Sequence, residues 1–115
     1  MKIFETSKNM TPKEIYNLTM SPATQKMKSV IGQRIEISAW VLYEDVNKKT
    51  GEAHEVLSII TPEGETFATN SPTFKADFSD MLQLFHDMGE EVHAITVTSG
   101  TSKAGREFIT CAYSD

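Results

Sequence analysis

The sequence holds a single cysteine, Cys111, so no internal disulfide staples the fold, and that usage suits a reducing compartment. It has no apolar run long enough to cross a bilayer, and its first residues, MKIFETSKNM, lack the sustained apolar core of a secretory signal. A cytoplasmic location is therefore expected. There is no internal repeat, no low-complexity tract and no glycine loop of the phosphate-cradling kind. Histidine is scarce: His54, His86 and His93 fall on three different expected elements, which is no metal-ligand spacing. Cys111 lies on the inward side of its expected strand without a base beside it, unlike an activated nucleophile. The acidic pairs Glu44-Asp45, Asp77/Asp80 and Glu90-Glu91 could in principle hold Mg²⁺, but adjacent exposed acids are ordinarily solvated. The expectation is a protein without catalytic activity, metal or other cofactor.

Positive charge is in deficit too, with a formal net charge of −5 at pH 7, which counts mildly against a polyanionic partner. The deficit is unevenly spread. Residues 1–35 carry six Lys/Arg against Glu5 and Glu14, while the rest of the chain carries five against fourteen acids. Four of those five are Lys48, Lys49, Lys103 and Arg106, which lie in two expected loops or at their edge. Local potential decides where a polyanion lands, so the total leaves nucleic acid open.

What is present is an ordinary globular composition, 39% apolar and 23% charged over 115 residues, enough for one domain with a working core. Thr11-Pro12-Lys13-Glu14 reads as a capping box with proline at the first helical position, predicting a short helix to about Thr19. Ser21-Pro22 repeats the signal and predicts a second helical piece through Met27, Val30 and Ile31, ended by Gly32. Residues 1–33 are thus expected to form a helical extension on the domain proper, residues 34–115, either as a lid or as an oligomer contact.

Arg34–Glu44 alternates almost without fault and predicts one long strand, with Ile35, Ile37, Ala39, Val41 and Tyr43 on its inner side. Arg34 and Trp40 fall on the other side. A polar connector, Asp45–Gly51, leads to a second strand at Glu52–Thr61. A turn at Pro62-Glu63-Gly64-Glu65 leads to a third, Thr66–Thr69. Asn70-Ser71-Pro72 then starts a helix whose apolar stripe includes Phe74, Phe78, Met81, Leu82 and Phe85, and Gly89 closes it. Val92–Thr98 and Arg106–Tyr113 flank the turn-forming Ser99–Gly105 and predict a hairpin. On its second strand Arg106, Phe108 and Thr110 share one face, and Ile109, Cys111 and Tyr113 share the other.

The expected order is strand, strand, strand, helix, strand, strand. The predicted fold class is therefore all-β with a helix, a five-stranded OB-fold barrel preceded by short N-terminal helices, with an SH3-like barrel or a small α+β sheet as alternatives. The ligand face of an OB-fold is built on its second and third strands and bordered by two loops, which here are the lysine-bearing ones.

The strings YEDVNKKTGEAHEVLSIIT, FATNSPTFKADF and GTSKAGREFITC, spread over residues 34–113, resemble the small single-stranded DNA-binding proteins encoded by phages and plasmids of Gram-positive bacteria. The resemblance implies an OB-fold, sequence-tolerant binding of unpaired DNA, and work in replication or recombination. It implies phage replication or recombination proteins as partners and leaves room for a homo-oligomer. The chain stops at Tyr113-Ser114-Asp115 without the long acidic tail by which bacterial housekeeping counterparts recruit enzymes, so recruitment through such a tail is not expected.

The candidate DNA contacts are the aromatics Trp40, Phe108 and Phe67, for stacking, and Arg34, Lys48, Lys49, Lys103 and Arg106, for the backbone. Each has a plainer alternative. Trp40 could pack under the N-terminal helices, Phe108 could be core, and the loop cations could simply be solvated. A second functional reading is a phage protein-interaction module that uses the same barrel face against a host or replication protein.

Overall fold

Both helices begin where a cap precedes a proline. The computed structural model describes all 115 residues. In it Thr11 Oγ1 accepts a hydrogen bond from Glu14 N, and Glu14 Oε1 accepts one from Thr11 N, each at 3.2 Å. Ser71 Oγ accepts from Phe74 N at 3.3 Å. These bonds satisfy amide donors that the first turns of α1 (Pro12–Thr19) and α2 (Pro72–Asp87) would otherwise leave unpaired. The strands are β1 (Lys2–Thr6), β2 (Gln25–Lys26), β3 (Arg34–Glu36), β4 (Ala39–Val46), β5 (Ala53–Ile60), β6 (Thr66–Thr69), β7 (Ala94–Thr101) and β8 (Glu107–Tyr113). They form two sheets, ordered β1-β4-β5-β6-β2 and β3-β7-β8.

The result is a small, mostly-β protein with two helices, and it departs from the expected five-stranded barrel in three ways. First, the long strand predicted at Arg34–Glu44 is broken. Ile37 N donates to His93 O at 2.8 Å, beside the three-stranded sheet, and the next amide, Ser38 N, donates to Ile60 O at 2.9 Å in the five-stranded sheet. The chain is handed from one sheet to the other, and the alternation slips there. Ile35 and Trp40, predicted on opposite sides of one strand, both pack against the main core. Second, no ladder joins β6 to β8, so the sheets do not close into a barrel. α2 stands against β8 instead: Thr73 Oγ1 donates to Ile109 O at 2.7 Å, and Cys111 N donates to Asp77 Oδ2 at 3.3 Å. Helix side chains thereby satisfy the open strand edge. Third, the extension is not purely helical. β1 pairs with β4, β2 runs parallel to β6, and the second expected helix is a single 3₁₀ turn at Met27–Val30.

The five-stranded sheet is covered on both faces, which is why Leu57, Ser58 and Ile59 are all buried in succession. One face meets α2 and the small sheet in the main core, which includes Leu57, Ile59, Phe74, Phe78, Ile95 and Val97. The other carries a smaller cluster in which Leu18 of α1 packs on Val41 and Tyr43. Tyr43 is 6% exposed, and burial raises the pKa of its hydroxyl, which donates to Thr19 O at 3.4 Å. On β8 the expected inward set holds for Ile109 and Cys111 but not for Tyr113. That residue is 48% exposed, with its ring beside Phe85 at 4.8 Å between centroids. No helix is long and apolar enough to cross a membrane.

Candidate nucleic-acid interface

α1 covers only part of the outer face of the five-stranded sheet. Beside it lies a groove of about 760 Å³, lined on the sheet by His54 and Val56 of β5 and Ala68 and Thr69 of β6. Lys26 and Lys28 line it from the N-terminal segment and Phe108 from β8. β2 places the two lysines: Gln25 pairs with Phe67 and Lys26 with Ala68, so the segment runs along the outer edge of β6.

Phe108 owes its position to the hairpin. It lies directly across from Gly100, and a Cβ built on that glycine would come within 2.7 Å of Phe108 Cζ. The missing side chain lets the ring rest against the strand, a packing that supports glycine in sheets. The ring is thus braced from behind while the residue, only half-buried, lines the groove. An aromatic held this way can take a base on its free face with little further ordering.

Both cationic loops start from groove-lining strand ends. Asp45 and His54, opposite each other on β4 and β5, flank the loop that bears Lys48 and Lys49. Asn47 shapes this loop: its Oδ1 accepts from Lys49 N at 2.9 Å, and Gly51 takes the left-handed conformation with φ +75°. In the other loop Ser102 Oγ accepts from Arg106 N at 3.1 Å, and Arg106 directly precedes Glu107 and Phe108 at the groove. None of Lys26, Lys28, Lys48, Lys49, Lys103 and Arg106 is in an ion pair. A half-buried aromatic in a groove with two unpaired lysines, adjoined by loops that bear four more cations, can stack a base while the cations neutralise the phosphates on either side.

A family model described as phage single-stranded DNA-binding protein matches residues 2–114. The chain belongs to that family. Comparison with curated proteins and with solved structures gave no match. The family's role is to bind single-stranded DNA, and the match reaches β1 and the N-terminal segment as well as the residues that carry the resemblance.

Of the eight predicted contacts in this family member, only Phe108 lines the groove; Lys48, Lys49, Lys103 and Arg106 lie in the two loops that adjoin its lining residues Asp45, His54 and Glu107, and the other three lie apart from it. Phe67 is only 5% exposed and packs in the main core. Arg34 is held by its surroundings: its Nη1 lies 2.9 Å from Glu36 Oε1, and its Nε donates to Asp115 O at 2.8 Å. Trp40 is neither on the Phe108 side nor beneath α1. It packs edge-on to Phe78 of α2, centroids 5.7 Å apart, and lines a separate groove of about 630 Å³. Lys26 and Lys28 are the groove residues that sequence reasoning missed; their only trace was the basic excess of the first 35 residues. Cys111 is buried, and its thiol is pushed up to about 12 by burial and by the nearby Asp77 carboxylate, so it stays protonated at neutral pH.

Proposed function

We propose that this protein holds single-stranded DNA in the Phe108 groove without acting on it chemically. It would protect or present the strand during replication or recombination of phage or other mobile DNA in a host cytoplasm. The observation that carries this reading is the braced, half-buried ring of Phe108 in a groove lined by the unpaired Lys26 and Lys28 and adjoined by two loops whose cations are also unpaired. Stacking faces exist on every base but are hidden in a duplex, so binding favours unpaired strands and tolerates composition. The run of elements from β3 to β8 supports an OB-type reading of the fold, opened between β6 and β8, with α2 in the gap. In that reading residues 34–115 form the binding unit, and residues 1–33 supply its lysine-bearing wall. Titration with labelled oligo-dT and with duplex of equal length tests the proposal. Clear preference for the single strand is expected. Equal binding of both, or binding of neither, would favour a protein-interaction module on the same face.

A further inference from the structure

The groove that holds Trp40 is built from the same kinds of residue as the Phe108 groove, but the charged groups it leaves unpaired are all carboxylates. Its apolar wall includes Trp40 and Leu42 of β4, Leu57 of β5, and Phe78 and Leu82 of α2. Two cations line it, and both are engaged. Lys8 Nζ is 3.2 Å from Glu14, and Lys75 Nζ is 3.6 Å from Glu55 Oε1 while donating to Glu55 O at 2.9 Å. Three carboxylates line it as well, those of Glu5, Glu90 and Glu91, and none is in an ion pair. Glu5 is there because of a bulge in β1. Ile3 pairs with Tyr43 but Glu5 pairs with Leu42, so the extra residue turns Glu5 to the groove side of the sheet. Glu90 and Glu91 follow the end of α2, where Gly89, at φ +74°, turns the chain towards β7.

A half-buried indole on an apolar wall is the kind of anchor point that dominates protein interfaces, and a rim of unpaired carboxylates selects a cationic partner. The same rim repels the phosphates of DNA. β1 is also an edge strand, paired on one side only, so its outer backbone groups are free to receive an extended chain beside the groove. We propose that the Trp40 groove docks a basic segment of a partner protein, an extended stretch in which lysine or arginine flanks an aromatic or leucine side chain. The proposal is independent of where DNA binds.

Panning a displayed library of random short peptides against the full chain, with and without saturating oligo-dT, tests it. Selected peptides should combine Lys/Arg with an aromatic or leucine in both conditions. Made synthetically, they should shift the emission of Trp40, the only tryptophan, in a saturable way. A Glu5→Gln/Glu90→Gln/Glu91→Gln variant, which leaves the apolar packing intact, should bind them roughly tenfold more weakly, as loss of three exposed charge contacts implies. No selection above background, selected peptides without a basic excess, unchanged binding by the triple variant, or displacement of the peptides by oligo-dT would each overturn the assignment.

Discussion

The two grooves lie on opposite faces of β4 and β5, and each is lined by one half-buried aromatic beside charged side chains. They differ in which charges are left unpaired. Around Phe108 they are Lys26 and Lys28 together with Asp45 and Glu107, and the adjoining loops add Lys48, Lys49, Lys103 and Arg106. Around Trp40 the lysines are already paired, and the free groups are glutamates. The net charge of −5 describes neither surface. A partner meets the unpaired charge nearest to it, so one small domain can present a groove flanked by cationic loops and a groove rimmed by free carboxylates back to back.

Trp40→Ala should divide the grooves most sharply. The indole is packed against Phe78, so its loss should cost about 2–3 kcal/mol of stability in a urea melt, somewhat below the usual figure for a fully buried aromatic. Affinity for oligo-dT should change by less than a factor of about two, since no DNA contact is removed. Lost affinity with retained stability would mean that the strand runs past Trp40 and would collapse the distinction.

Phe108→Ala should do the reverse. Oligo-dT binding should weaken by about 2 kcal/mol, within the range for one stacked base, while the melt moves less. A large stability loss with unchanged affinity would make Phe108 a packing residue and leave the cations as the whole site.

Gly100→Ala is a gentler probe of the same ring. A Cβ 2.7 Å from Cζ forces Phe108 off the strand, which should cost about 1 kcal/mol in stability and a comparable amount in DNA affinity. If stability falls but affinity holds, the bracing of the ring is irrelevant to binding.

The smallest expected effect concerns salt. Lys26, Lys28 and the four cations of the adjoining loops, at about 0.7 per phosphate contacted, imply a log–log slope near −4 for oligo-dT if all six engage. Lys26→Gln/Lys28→Gln should flatten it by about 1.4. Arg34→Gln, which removes a cation already held by Glu36 and the Asp115 carbonyl, should leave it unchanged. Equal flattening by both variants would extend the DNA path onto β3.

Much of this was readable from local chemistry. The capping box at Thr11 and Glu14, the Ser71-Pro72 start of α2, its Phe74–Phe78 stripe and the glycine-bearing hairpin all depend on residues near one another in the chain. The position of Trp40 was not readable. An unbroken alternation from Arg34 to Glu44 predicts one strand and one outer face. The slip at Ile37 and Ser38 arises because His93 and Ile60, distant in sequence, each accept one of two consecutive amides. β1 was missed because its bulge removes the period-2 signal and its partner is β4, about forty residues away.

By itself the sequence determined where α1 and α2 begin, which loops carry lysine and where the β7–β8 hairpin turns, because caps, glycines and strand parity act over a few residues. Tertiary structure alone decided which side Trp40 faces, that α2 rather than a strand stands along β8, and that Lys26 and Lys28 line one groove with Phe108. Those outcomes depend on hydrogen bonds and packing between segments far apart in the chain, and no local pattern records which distant carbonyl or side chain will be there.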